Sequence, residues 1–303
     1  MIKNFDQIMQ IARERGPKTV SVACAQDVEV LLAIDAAKKE GIVDAILVGD
    51  KERIETIAKD NNIDVSKFDI VDIKDMTEAS RKAVELVSSG KAHMVMKGLV
   101  DTSIILKAVL DNEIGLKTGK VLSHVAVFDI QGYDRLFIVS DAAMNIAPDL
   151  DTKKQIIDNA VGVAQALDNK VPKVAVICAK EKVNPKMPDT IDARELQRMN
   201  EEGIIKNCIV AGPFALDNAV SVEAAKLKGI NHPVAGKADI LLLPDIEAGN
   251  VLYKSIVYFA PSKNAGLIVG AKAPIVLTSR ADTEETKLYS IALGVLCASV
   301  SKY

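Results

Sequence analysis

Short β-branched runs alternate along this chain with stretches whose apolar residues recur every three or four positions. The runs Thr19–Ala25, Ala45–Val48, Phe68–Val71 and His93–Met96 predict strands. Between and after them, Val28–Lys39, Lys51–Asp60, Thr77–Ser89 and Thr102–Leu110 predict helices. Asp27 stands where an N-cap belongs, Gly49-Asp50 reads as a turn, and Gly90 ends the third helix. Repetition of strand, helix and strand implies a mostly parallel sheet covered on both faces.

The alternation breaks near the middle. Val121–Ile130 and Tyr133–Ser140 are both strand-like and are joined only by Gln131-Gly132. So short a link suits an antiparallel hairpin rather than a crossover, and marks passage into a second domain. Helices are then expected at Thr152–Asp168, Thr190–Glu202, Ser221–Lys228 and Ala248–Phe259, with strands at Lys173–Cys178, Cys208–Val210 and Ile240–Leu243. Gly266–Val269, Pro274–Leu277 and Glu284–Ser299 return to the first domain, with Pro261–Asn264 as the crossing point. The expected division is residues 1–123 plus 268–303 for domain I and 124–267 for domain II, a size of chain that suits two cores.

Four predicted strands run straight into polar residues. His93–Met96 ends on Lys97, Leu136–Val139 on Ser140-Asp141, Ile240–Leu243 on Pro244-Asp245, and Pro274–Leu277 on Thr278-Ser279-Arg280. Open α/β sheets bind ligands outside the carboxyl ends of their strands. A lysine, an arginine, hydroxyls and two aspartates are thereby expected in one cleft, a set suited to a phosphorylated or otherwise anionic substrate.

Composition removes several classes. A net charge of −3 gives no basic field for nucleic acid, and 4% aromatic residues without Trp give no stacking platform for bases. No apolar run is long enough to span a bilayer, and Met1–Asp6 has no signal-peptide pattern, so the expected location is the cytoplasm without membrane association. Cys24, Cys178, Cys208 and Cys297 are far apart, form no CxxC pair and lie in or beside apolar runs, as buried free thiols would. His93, His124 and His232 lack metal-ligand spacing, and no metal is expected; His93, inside an apolar run, reads as a core imidazole. There is no GxGxxG fingerprint and no GxSxG elbow, and Gly115–Val121 falls one residue short of a P-loop.

Three blocks carry a family resemblance. They are Lys237–Lys254 around LLLPDIEAGN, Ala273–Asp282 around IVLTSRAD, and Met94–Thr102 together with Leu122–Phe128. The chain resembles the phosphate acetyl/butyryl transferase family over essentially its whole length, and the Lys97 and His124 blocks are most similar to its phosphate butyryltransferase branch. The resemblance implies transfer of a short acyl group, butyryl in the first instance, between CoA and inorganic phosphate. It also implies a two-domain, three-layer α/β/α fold like that of isocitrate and isopropylmalate dehydrogenases, with the active site in the interdomain cleft. A homodimer is implied too. CoA enters as a substrate, and no cofactor is implied.

Such chemistry needs a thiolate, a donor for the carbonyl oxyanion and cationic groups for phosphate. The family pattern gives Ser279 and Arg280 these catalytic roles, Ser279 for the oxyanion or thiolate and Arg280 for phosphate. Lys97 and Lys107 fall at its basic positions; Lys107 stands where arginine is common and lacks the bidentate fork. The aspartate used as thiol base in the acetyl branch is replaced here by Thr286, which leaves Asp282 and Glu285 as candidate bases. Asp282 also reads as the N-cap of the last helix, and catalysis without any single side-chain base stays open. Ser140, Asp141 and Asn145 match a family turn, Asp217 a family loop and Asn250 a helix start; substrate contact and structural hydrogen bonding both stay open for these.

Acetyl or branched-chain acyl transfer is the alternative within the class, because one methylene changes binding by only about 1–3 kcal/mol. A decarboxylating dehydrogenase on the same fold would need a metal-binding aspartate cluster and a nucleotide site. A non-catalytic regulatory relative would have no need to keep Ser279-Arg280.

Overall fold

The computed structural model describes residues 1–279 and 282–300. The chain divides into two compact units, one made of Phe5–Lys120 with the chain from Ala265 onward, the other of Met1–Asn4 with Val121–Asn264. The first four residues therefore group with the middle of the chain, not with the amino-terminal segment; Ile2 N donates to Leu167 O at 3.0 Å.

The first unit opens with a helix absent from the sequence expectation, α1 (Phe5–Arg15). Its buried residues Phe5, Ile8, Met9 and Ala12 follow i, i+3, i+4, i+7, one face of a helix. Four strand–helix pairs follow: β1 (Lys18–Ala23) and α2 (Val28–Lys39), β2 (Val43–Gly49) and α3 (Lys51–Asp60), β3 (Asp69–Asp72) and α4 (Met76–Ser88), β4 (Met94–Lys97) and α5 (Thr102–Val109). Aspartates stand at the N-cap of all four helices, with Asp27 accepting from Val30 N, Asp50 from Arg53 N and Asp75 from Glu78 N.

The second unit holds β5 (Ser123–Ile130), β6 (Phe137–Ser140), α6 (Leu150–Ala166), β7 (Lys173–Ile177), α7 (Pro188–Glu201), β8 (Ile209–Phe214), α8 (Leu216–Val220), α9 (Val222–Leu227), β9 (Ile240–Leu242) and α10 (Ile246–Phe259). The strand β10 (Ser262–Val269) carries the chain back into the first unit, which ends with β11 (Ile275–Val276) and α11 (Glu284–Val300).

In the first unit the strand order is β3-β2-β1-β4-β11-β10, parallel except for β10 against β11. The ring of Phe5 on α1 lies 4.5 Å from that of Tyr289 on α11, so the amino-terminal helix is held by the last one. In the second unit the order is β5-β6-β9-β7-β8. The hairpin β5–β6 is antiparallel, with Ala126 opposite Val139, but β6 starts at Phe137 and not at the expected Tyr133, so residues 131–136 join the strands. The other pairs are parallel, which requires the helical crossovers between them. Phe128, Phe137, Phe214 and Leu241 fill its core.

Two local expectations change. His93 is exposed, not a core imidazole; it precedes β4, and its Nδ1 accepts from Thr19 N at 3.0 Å. The strand expected at Cys208–Val210 runs on through Gly212-Pro213 to Phe214 as β8. A Cβ on Gly212 would crowd Val176 and Ala193, which is why the strand passes there on glycine. The four cysteines are free, with Cys24, Cys178 and Cys208 buried and Cys297 half-buried. Among the described residues no helix is long and apolar enough to cross a membrane.

Candidate active site

Parallel register brings three strand ends of the first unit to one edge. Ala23 of β1 is opposite Lys97 of β4, and Met96 is opposite Val276 of β11. Lys97 is therefore level with Leu277, and Ser279 follows two positions further along. Adjacent strands are about 4.8 Å apart, so Cys24, Lys97 and the Thr278-Ser279 pair share one short stretch of edge.

The chain turns sharply there. Gly98 N donates to Ala23 O and Leu99 N to Cys24 O, both at 2.8 Å. A Cβ on Gly98 would strike the carbonyl oxygens of Ala23 and Cys24, so only glycine allows this approach. Lys97 is 7% exposed, and its ammonium donates to Gly98 O at 3.2 Å and Val100 O at 3.1 Å. The two carbonyls hold the Lys97 ammonium at the strand end. Burial pushes the Cys24 thiol up, an effect that Ser80 and Lys97 offset only in part. This cysteine is thereby made a poor nucleophile.

Ser279 is exposed, and its amide donates to Asp282 Oδ2 at 2.7 Å. Lys287, 3% exposed in the first turn of α11, donates to Asp282 O at 2.5 Å. Asp282 thus bonds to Ser279 through its carboxylate and to Lys287 through its carbonyl. The N-cap role expected of Asp282 falls to Thr283, whose Oγ1 accepts from Thr286 N at 3.2 Å. Glu285 Oε1 accepts from Tyr289 Oη at 2.7 Å. Both candidate bases therefore have their carboxylates engaged. Arg280 lies outside the described residues. Lys107 is exposed in the last turn of α5, roughly 7 Å along the axis from the start of that helix.

A second cluster lies at the strand ends of the second unit. Ser140 is opposite Leu242, and its Oγ donates to His124 O at 2.8 Å. Asp141, 3% exposed, accepts from Ala143 N at 2.8 Å and Met144 N at 3.0 Å through Oδ1, and from Asn145 Nδ2 at 2.6 Å through Oδ2. Asn250 Nδ2 reaches Ala142 O at 3.4 Å. A Cβ on Gly249 would fall well under 3.0 Å from Asp141 O, so α10 seats directly on this turn. Asp245 caps α10 by accepting from Ala248 N at 2.7 Å. The imidazole of His124 meets the Tyr253 ring edge-on, centroids 5.8 Å apart.

Ser140, Asp141 and Asn250 are thus brought together, as the sequence suggested, around backbone groups. Asp217 is not beside them. It follows β8, three strand spacings or about 14 Å from β6, and pairs with Lys228 at 3.1 Å. Glu181 joins the same cluster through Lys228 and Asn218. Cys178, which follows β7, is pushed up to about 12 by burial and by nearby Asp189, and is no nucleophile at neutral pH. Lys287 and His124 were not singled out as site residues in the sequence. A lysine in the apolar stretch after Thr286 was the available signal for the first.

Among the described residues no group of three or more His, Cys, Asp or Glu side chains could hold a metal ion. The held ammonium and the exposed hydroxyl lie past the carboxyl ends of adjacent parallel strands, where α/β sheets bind ligands, and the pair suits an anionic one. Similarity to known proteins narrows this reading. The phosphate acetyl/butaryl transferase family matches residues 4–82 and 74–295, and the chain belongs to that family. A phosphate butyryltransferase of Clostridium beijerinckii is 55% identical over 302 residues, covering 100% of both chains. The crystal structure of a branched-chain phosphotransacylase from Enterococcus faecalis superposes with a TM-score of 0.82 at 36% identity, covering 93% of this chain and 99% of that one. A more distant likeness, to a putative 4-hydroxythreonine-4-phosphate dehydrogenase from Salmonella typhimurium (TM-score 0.60, 10% identity, 93% and 100% covered), concerns the fold alone.

Proposed function

We propose that this chain transfers a butyryl group between CoA and inorganic phosphate. The observation that carries the reading is full-length similarity to a phosphate butyryltransferase, joined to a strand-end turn that presents Ser279 beside Lys97. In the direction of acyl-CoA synthesis, the CoA thiol gives up its proton to solvent and the sulfur attacks the acyl phosphate carbonyl. The C–S bond forms, the bond from carbon to the phosphate oxygen breaks, and inorganic phosphate leaves. Ser279 donates its hydroxyl to the carbonyl oxyanion. Arg280 binds the phosphate through its planar fork, and Lys97 supplies fixed positive charge. Asp282 and Lys287 hold the turn that aims Ser279. No metal or organic cofactor takes part in this reading. The enzyme works in the cytoplasm as a homodimer, with the two-domain arrangement of isocitrate and isopropylmalate dehydrogenases.

The test is phosphate-dependent CoA release from acetyl-, propionyl-, butyryl-, isobutyryl- and valeryl-CoA, with and without chelator. Butyryl-CoA is expected to turn over best, unaffected by chelator. Preference for isobutyryl-CoA would favour the branched-chain reading that similarity to the Enterococcus enzyme supports. Turnover of none of the five would sink the transferase reading.

A further inference from the structure

The first unit carries a cavity of about 340 Å³ at the end of its sheet away from Lys97 and Ser279. Ligand sites occupy roughly 300–1,000 Å³, so the space suits a small molecule. Its walls come from the amino ends of β4 and β11, the last turns of α4 and α11 and the chain after α5, all within this unit. Two nitrogens there favour a negative ligand. His93 is fixed by Thr19 twice over: its amide donates to Thr19 O at 2.8 Å, and its Nδ1 accepts from Thr19 N at 3.0 Å. An Nδ1 that accepts a backbone N–H carries no proton, so the neutral ring keeps its proton on Nε2, a donor. Lys272 is exposed, and its amide donates to Leu116 O at 2.8 Å, which pins the base of the side chain to the wall. Among the described residues no acidic side chain lines the cavity. The carboxyl end of α4 is met by its own cap, since Leu86 O accepts from Ala92 N at 2.9 Å and Val87 O from Gly90 N at 3.0 Å. Much of the remaining wall is apolar, formed by Val87, Leu116, Pro274 and Ala298.

We propose that this cavity binds a short-chain aliphatic monocarboxylate, its two oxygens on Lys272 Nζ and His93 Nε2 and its chain on the apolar wall. An ammonium and one N–H match the two oxygens of a carboxylate. A phosphate in the same place would set its further oxygens against apolar side chains, where a polar group without a partner is costly. The site is distinct from the catalytic edge. His93 stands just before β4 and Lys97 ends it, so four positions, roughly 13 Å of strand, lie between the two. The transferase reading is not needed for this site, and the two are tested separately.

Calorimetric titration of the full chain with sodium butyrate, repeated by saturation-transfer NMR, tests the site. One butyrate is expected to bind per chain, equally well with and without saturating CoA and phosphate, which fill the catalytic edge. Acetate, two methylenes shorter, is expected to bind about tenfold more weakly. Butylamine, of opposite charge, is expected not to bind. Lys272→Met and His93→Asn each remove one donor and are expected to weaken butyrate at least about tenfold. Asparagine keeps an acceptor for Thr19 N, and circular dichroism checks that both variants are folded. Ala298→Phe fills the apolar end and is expected to abolish binding. CoA release by Lys272→Met and His93→Asn is expected to match wild type, because neither residue is at the catalytic edge. Absence of butyrate binding by both methods, displacement of butyrate by CoA or phosphate, or unchanged affinity in either Lys272→Met or His93→Asn would each overturn the site. Failure of wild type to release CoA would count against the transferase proposal alone.

Discussion

The Asp282 carboxylate accepts the backbone amide of Ser279 at 2.7 Å, which ties the carboxylate to the turn that presents the hydroxyl. A carboxylate used in this way positions its neighbour, and asparagine can accept the same bond. Asp282→Asn is therefore expected to keep kcat within about threefold of wild type and to leave the pH profile unchanged. Asp282→Ala removes the acceptor and is expected to lower kcat well below the asparagine variant. Loss of a limb of the pH profile in Asp282→Asn, with no such loss in Glu285→Gln, would make Asp282 the thiol base instead.

Ser279→Ala probes the hydroxyl itself. A donor that strengthens its bond as the oxyanion forms acts mainly on the transition state. Its loss is expected to cost on the order of 10²–10³ in kcat, with CoA affinity changed much less. Steady-state kinetics with butyryl phosphate and CoA read both quantities. Full kcat in the alanine variant would move the catalytic centre away from this turn.

Much of the first unit was legible because local rules agree with the tertiary fold. Strand periodicity and the aspartate cap at Asp27 each act over a few residues. The strand-end rule found Lys97 and Ser279, and parallel register then places them at one edge. What escaped depends on partners distant in the chain. Helix α1 is settled by its packing on α11 through Phe5 and Tyr289, and the sequence reading passed over its stripe. Asp217, for which substrate contact and structural bonding both stood open, pairs with Lys228, 11 residues away, which also holds Glu181. His93 sits in an apolar run, but lies just before the strand and receives the Thr19 amide instead of entering the core.

Gly249 should tolerate no side chain. Its added Cβ would meet the backbone of Asp141 and Ala142, which cannot swing aside as a flexible side chain would. Gly249→Ala is expected to cost about 1–3 kcal/mol of stability by overpacking, and to lower activity by displacing the Ser140-Asp141 turn. Thermal unfolding and CoA release, measured on the same preparation, check the two effects. An unchanged melting temperature would mean that α10 and this turn are free to separate.

The Glu181–Lys228 pair gives the second unit an acid-sensitive clasp. Hydrogen bonds from Lys228 first, then from the Glu181 backbone amide and Asn218, hold the Glu181 carboxyl at about 2, below the ordinary 4.5. A carboxyl depressed on folding binds its proton more weakly in the native state than in the unfolded one. Its stabilisation is therefore complete above pH 4.5 and drains away as pH falls toward 2. The pair is partly exposed, with 27% of the Glu181 side chain and 44% of Lys228 accessible, so the effect is that of a surface ion pair. Glu181→Gln is expected to lower the melting temperature by about 1–2 °C at pH 7. The gap between variant and wild type should narrow below pH 4.5, and high salt should narrow it at pH 7. Melting curves of both proteins from pH 7 down to the lowest pH at which they stay folded give the comparison. A gap that persists unchanged below pH 4 would show that Glu181 acts through packing, not through its charge.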